Sequence, residues 1–135
     1  MPGFKSTYLA NQINDAVHGA VAYSPPATLY FALFTTAPTA SGGGVEVTGG
    51  SYARPSLTNN LTNFPSASGG SKKNGAVVTF AAPTADWGVC VALAEFDAAS
   101  GGNMITVEIF ATPVTVLNGS PALTLPVNSI TYTEA

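Results

Sequence analysis

The fold is decided by the stretch TLYFALFT, residues 28–35, which is dense in aromatic and β-favouring side chains. Its apolar residues occupy both odd and even positions, so both faces of a strand formed here would be buried. Such a strand belongs at the centre of a β-sandwich. The Pro25-Pro26 pair just before it ends the preceding segment.

Two further segments are predicted to form a hairpin downstream. Residues 87–97 predict a strand, and residues 104–111 predict its partner across a glycine-rich turn. Alternation along the first strand predicts two faces. One face would carry Cys90, Ala92, Ala94 and Phe96, and the other Val89, Val91, Leu93 and Glu95.

A second hairpin is predicted over residues 114–125, because Asn118-Gly119 favours a two-residue turn. Residues 59–74 predict a polar loop, and Lys72-Lys73 would be its solvated tip. With strands at 52–57, 76–80 and 129–133, the pattern predicts about eight short strands separated by Gly, Pro and Asn turns. This pattern predicts an all-β protein, a jelly-roll-like antiparallel β-sandwich.

One N-terminal helix precedes the strands. Ser6 can cap a helix over residues 5–19, and Leu9, Ile13 and Val17 form a narrow apolar stripe along it. We therefore expect a single domain over residues 1–135, with a helical segment at 1–23 and the β-sandwich at 24–135.

Charge is scarce. Asp, Glu, Lys and Arg make up 8% of the 135 residues, whereas about a quarter is usual in soluble domains. A chain that is 46% apolar and lacks a charged surface is expected to cover much of its exterior with neighbouring molecules. The net charge of −3 argues against a nucleic-acid partner, since phosphate binding needs clustered cations. No apolar run is long enough for a membrane span.

Few side chains favour catalysis. His18 is the only histidine and has no catalytic motif around it, so we interpret it as a solvated helix residue. Cys90 is the only cysteine and is predicted to be a buried core thiol. Trp87 follows Asp86 at a strand entry, where its indole N–H could seal a turn. We expect no catalytic residue, no metal site and no cofactor.

Three carboxylates deserve a separate hypothesis. Glu95 and Asp97 lie two apart on one predicted strand, and Glu108 lies on the partner strand. Together they could hold a hard cation such as Ca²⁺, or act as the acids of a carbohydrate-active enzyme. The favoured interpretation is that they are the outward residues of a hairpin with one wet face.

Several segments, taken together, resemble a family of small tailed-bacteriophage virion proteins. Members of this family are often labelled tail-fibre proteins, and similar small β-sandwiches serve as capsid cement (decoration) proteins. The resemblance covers about residues 7–133. The segments that carry it are residues 29–38, 42–47, 49–54, 78–80, 85–88 and 96–103.

The resemblance implies a non-enzymatic virion structural protein. Our leading expectation is a capsid cement protein on the head surface, with the major capsid protein and copies of itself as partners, and a trimer as the favoured oligomer. The alternative is a tail-fibre or tail-tip subunit that binds host glycans. The expected assembly contacts lie in the helical stripe and the loop that follows the central strand: Leu9, Ile13, Val17, Gly43, Val45 and Val47.

Overall fold

A computed structural model describes residues 3–133 of the chain. In this range there are one helix and ten strands. They are β1 (Gly3–Lys5), α1 (Thr7–Val17), β2 (Thr28–Thr36), β3 (Val45–Glu46), β4 (Ser56–Thr58), β5 (Ser71–Lys73), β6 (Val78–Thr79), β7 (Gly88–Phe96), β8 (Met104–Val116), β9 (Thr124–Leu125) and β10 (Thr131–Thr133). The prediction of an all-β sandwich behind an N-terminal helix is confirmed, and no helix in residues 3–133 is long and apolar enough to cross a membrane.

One large sheet organises the molecule. Its antiparallel strands follow the order β1-β8-β7-β2-β3, and β4 pairs with the beginning of β2. The strand predicted from residues 28–35 is β2, and it lies next to β7 in the middle of this sheet. Two smaller ribbons, β5–β10 and β6–β9, form the rest of the strand structure.

The main core lies between the large sheet and the ribbons. Phe31, Leu33 and Leu93 of the sheet pack in one buried cluster with Phe80 and Ile130 from the ribbon side. Large apolar side chains removed from water in this way supply most of the favourable free energy of folding. A second cluster contains Ala32, Phe34, Ala92, Ala94, Met104 and Val107, so β2 and β7 are apolar on both faces as their sequences predict.

The helix begins and ends close to the predicted residues. The Ser6 side chain accepts a hydrogen bond from the Leu9 amide at 3.0 Å, which confirms the predicted N-cap. The backbone N–H of Ser6 donates to Ile105, and that of Thr7 donates to Ala40. These two bonds fix the start of α1 between β8 and the glycine-rich loop after β2.

The alternation predicted for residues 87–97 is wrong at one point. Cys90 is fully buried, as predicted, but it packs in the same cluster as Leu93 and apart from Ala92 and Ala94. The cause is a bulge: Cys90 pairs with Val114 and Ala92 pairs with Ile109, so four residues of β8 face one of β7. Because of the bulge, Cys90 lies on the opposite face of the sheet from Ala92 and Ala94.

The hairpin predicted over residues 114–125 does not form. The Asn118-Gly119 turn exists, because Ser120 donates its amide hydrogen to the Leu117 carbonyl and Gly119 has a positive φ of 82°. The flanking strands have other partners: β8 continues along β7, and β9 pairs with β6. Longer-range pairing therefore overrides the local turn signal.

The predicted solvated tip at Lys72-Lys73 is also wrong. Both residues lie in β5 and pair with Tyr132 and Thr131 of β10. Next to them, Asn74 is fully buried and binds backbone atoms of Ala76, Pro126 and Ile130 through its amide group. The hydrogen bonds of this buried side chain fix the backbone beside β5, although the segment at 59–74 is polar in sequence.

Candidate functional site

An open groove of about 590 Å³ lies on the large sheet. Buried or half-buried side chains in its lining come from β2, β7 and β8: Phe34, Phe96 and Met104. Tyr8 at the start of α1 lines it and keeps 37% of its surface exposed. The glycine-rich loop at 40–44 and the β7–β8 turn at 101–103 also contribute to the lining. Its volume is in the range of small-molecule sites.

A buried ion pair lies at one side of this groove. Arg54, the only arginine of the sequence, donates from Nε and Nη2 to the two carboxylate oxygens of Glu46 at 2.9 and 2.8 Å. The Arg54 side chain is only 5% exposed and that of Glu46 24%. Such a two-point contact is the strong form of an arginine–carboxylate pair.

The same guanidinium also holds the β7–β8 turn. Its Nη1 donates to the carbonyl oxygens of Ala98 and Gly101, at 2.8 and 2.9 Å. Its Cζ lies 3.9 Å from the ring centroid of Phe96, so the cation also stacks on an aromatic face. Arg54 thereby joins β3, the β7–β8 turn and the end of β7, and it fixes one side of the groove.

Tyr52 completes this polar cluster. Its hydroxyl donates to Glu46 Oε2 at 2.7 Å and accepts from the Leu33 amide at 3.0 Å. Burial alone would raise the pKa of Glu46, but hydrogen bonds from Arg54 and Tyr52 and the charge of Arg54 together lower it. Glu46 therefore stays ionised, and the pair contributes no uncompensated charge to the groove.

The prediction that the indole N–H of Trp87 closes a turn is confirmed. Its indole Nε1 donates to the Gly50 carbonyl at 3.0 Å and closes the loop before Tyr52. Gly50 has a positive φ of 55°, and a β-carbon there would lie 2.9 Å from the same indole nitrogen. This loop position therefore requires glycine.

The three predicted carboxylates behave differently from expectation. Glu95 is 5% exposed and Glu108 is 3% exposed, so the interpretation of a wet hairpin face is wrong. Glu95 accepts hydrogen bonds from Tyr132 and Thr106, at 2.6 and 2.7 Å. Asp97 lies apart from these groups and holds Asn103 across the β7–β8 turn. Within residues 3–133 no three such side chains are grouped as metal ligands.

The residues predicted for assembly divide into two groups. Leu9 and Val47 are buried in the core of the chain itself, and the half-buried Ile13 packs against that core. Val17, Gly43 and Val45 are exposed, with Val17 at 66% and Val45 at 54%. An assembly role for all six residues stays a prediction, and the three exposed ones are the most accessible to a partner.

Sequence reasoning missed the Arg54–Glu46 pair. Both residues lie in loop-like sequence between glycines, and no local pattern joins them. A usable signal was present, because a sole arginine in a chain so poor in charge is a candidate for a structural ion pair.

The family of the chain is clear from comparison with known proteins. Residues 5–133 match the model of the family described as podophage GP4 fiber I protein gp80. The chain therefore belongs to this family of phage virion structural proteins, which carries a fibre label. A search of curated proteins found no match.

Proposed function

We propose that the protein is a non-enzymatic fibre subunit of a podophage tail, and not a cement protein of the capsid. The observation that carries this proposal is the family match, which covers nearly the whole chain and carries the name of a fibre protein. The expectation of a capsid location rested on the scarcity of charge and on the long glycine- and serine-rich loops. A fibre subunit satisfies the same condition, because its exterior also meets other subunits.

Exposed apolar side chains support assembly with further protein. Val17 and Val21 lie at and just after the end of α1, and Leu61 lies in a loop, each more than half exposed. With so few charges elsewhere, these positions favour association with copies of the chain or with other tail proteins. We expect a homo-oligomer, and a trimer remains the favoured state.

Counting and locating the protein on whole particles tests the proposal. Quantitative mass spectrometry of purified virions should give tens of copies per particle, measured against the major capsid protein of the same sample. Gold-labelled antibody should mark the tail in electron micrographs. Hundreds of copies, with label over the head, would overturn the fibre proposal in favour of a cement protein.

We propose further that the groove binds a neutral saccharide of the host surface. It offers a partly exposed aromatic ring at Tyr8, hydroxyl groups at Thr7 and Ser41, and the side-chain oxygen of Asn103, whose amide nitrogen donates to Asp97. Its only charged lining groups, Arg54 and Glu46, neutralise each other. A concave, uncharged lining with aromatic and hydrogen-bonding groups fits a hydroxyl-rich, uncharged ligand.

Variants of the groove provide the test. Tyr8→Ala and Asn103→Ala should each weaken binding to polysaccharide purified from a susceptible host by about tenfold, or about 1.4 kcal/mol. Leu61→Ala removes an exposed apolar side chain outside the groove and serves as the matched control. Equal binding by all three variants, or no binding by the wild type in biolayer interferometry, contradicts the saccharide site while leaving the fibre assignment intact.

A further inference from the structure

The second buried charge cluster lies beneath the two terminal strands. Glu95 of β7 and Glu108 of β8 occupy diagonal positions in adjacent strands, because Glu95 pairs with Thr106 and Leu93 pairs with Glu108. Diagonal neighbours on one strand pair remain within reach of long side chains. Two carboxyl groups are therefore buried close together in the sheet.

The Glu108 carboxyl is incompletely satisfied. Among residues 3–133, its Oε2 is a buried side-chain oxygen without a hydrogen-bond partner. A buried carboxylate oxygen in this state carries a large desolvation cost, whereas a protonated carboxyl does not carry the charge. The geometry therefore favours the neutral form of Glu108.

The first strand lies directly on this group. Gly3 of β1 pairs with Glu108, and a β-carbon at Gly3 would collide with the carboxyl atoms of Glu108. Glycine is needed here because the carboxyl occupies the space of a side chain. A small cavity of about 20 Å³ beside it is lined by Lys5, Thr106 and Tyr132 among others.

The ionisable groups around Glu108 come from three strands and the chain end. Glu95 of β7 and burial both raise the pKa of Glu108, to about 7, and burial is the larger cause. The positive charge of the amino terminus acts in the opposite direction. Lys5 of β1 lines the same cavity, and Tyr132 of β10 donates to Glu95.

We propose that the Glu95–Glu108 pair is a proton-dependent clasp for the terminal strand β1. When Glu108 holds a proton, one negative charge at most lies in the pair and β1 stays on the edge of β8. When that proton leaves to solvent, two like charges face each other away from water. The strand β1 then separates from β8, admits water to Glu108, and leaves the edge of β8 at Thr106–Glu108 unpaired.

The sign of the effect follows from the geometry. A carboxyl that is harder to ionise in the folded chain binds its proton more tightly there than in the open form. Opening is therefore suppressed at pH 5.5 and promoted at pH 8.5. An ordinary surface carboxylate with a cationic partner behaves in the opposite way, because it stabilises the folded chain more as the pH rises.

Hydrogen exchange of the wild-type chain tests the clasp. Protection factors of the β1 amides, corrected for intrinsic exchange, should fall at least about tenfold between pH 5.5 and 8.5. Those of the central strand β2 should stay constant. In parallel, the carboxyl carbon of Glu108, followed by carbon NMR, should titrate near neutral pH. A titration midpoint below pH 5, or pH-independent protection of β1, overturns the proposal.

A matched pair of variants isolates the charge. Glu108→Gln keeps the shape of the side chain and cannot ionise, so its β1 protection should lose the pH dependence. Asp15→Asn removes one exposed negative charge from α1 and should retain the wild-type dependence. If Glu108→Gln keeps the full fall in protection, the clasp is wrong. The wild-type titration provides a result even where that variant fails to fold.

Discussion

The large sheet buries charge in two places by opposite means. At the groove, Glu46 meets Arg54 and Tyr52, and its carboxylate oxygens are saturated with donors. Beneath the terminal strands, Glu95 has two hydroxyl donors but Glu108 has an unpartnered oxygen and a like charge nearby. The first cluster is stable with its carboxylate ionised. The second is stable only when Glu108 holds a proton.

The difference shows how a chain poor in charge uses the charges that it has. A saturated ion pair rigidifies three segments at once, as Arg54 does for β3, β7 and the β7–β8 turn. A pair of like charges makes the pairing of the overlying strand β1 with β8 depend on pH. Substitutions that affect one of the two clusters and leave the other unchanged therefore test this difference directly.

The largest expected effect comes from Arg54→Met. The substitution keeps much of the apolar stem but leaves the Glu46 carboxylate without its cation and frees the carbonyls of Ala98 and Gly101. Breaking a buried pair from one side costs about 3–5 kcal/mol. Urea denaturation should report this loss, with Lys73→Met at an exposed position as the control. A loss below about 1 kcal/mol would mean that the pair is merely peripheral.

The next effect is a stability profile with two opposite slopes. The pKa of Glu46 is lowered in the folded chain, so its contribution is present above pH 4.5 and is lost as the pH falls through the folded pKa. The pKa of Glu108 is raised to about 7, so its contribution is complete below pH 4.5 and is lost as the pH rises through 7. This loss accumulates between pH 4.5 and about 7 and should be on the order of 2 kcal/mol.

Two glutamine variants assign the slopes. Glu46→Gln should flatten only the loss of stability below pH 4.5. Glu108→Gln should flatten only the loss of stability between pH 4.5 and about 7. Thermal unfolding from pH 3 to pH 9 measures both on one set of samples. A single variant that flattens both slopes would show that the two clusters are coupled, contrary to the comparison.

The smallest effect compares two tyrosines that each donate to a buried glutamate. Tyr52→Phe removes the bond to Glu46 and leaves the amide of buried Leu33 unsatisfied, so we expect a loss of about 1–2 kcal/mol at pH 5.5 and pH 8.5 alike. Tyr132→Phe removes the bond to Glu95. Its cost should be about 1 kcal/mol, because a hydroxyl donor to a buried carboxyl group is lost but no buried backbone amide is left unsatisfied. A cost for Tyr132→Phe above that for Tyr52→Phe, measured by urea denaturation, would contradict this ranking.

Local sequence was enough to predict the elements whose signal is strong and short-ranged. The central strand β2, the β7–β8 hairpin and the Ser6 cap follow from side-chain type and spacing over a few residues. The turn at Asn118-Gly119 was also predictable, but its pairing was not, because β8 and β9 find partners distant in sequence. The register change beside Cys90 has no sequence signature in a run of small apolar residues.

The candidate site was less predictable than the fold. The groove is lined by strands, the start of α1 and loops that are distant in sequence, and the contact of Arg54 with Ala98 and Gly101 spans more than forty residues. The position of Glu108 opposite Leu93 inside a long apolar strand did contain a signal for burial. The prediction of a wet face ignored that neighbourhood and relied on charge alone.

The pairing of β1 with β8 has a consequence for synthesis of the protein. Gly3 meets Glu108, about a hundred residues later in the chain, and β5 must wait for β10. Loop closure over such separations is slow compared with local hairpin formation. The edge of the large sheet is therefore completed only after the ribosome has synthesised Glu108, and the β5–β10 ribbon only after Thr131–Thr133, so both pairings form later than the local β7–β8 hairpin.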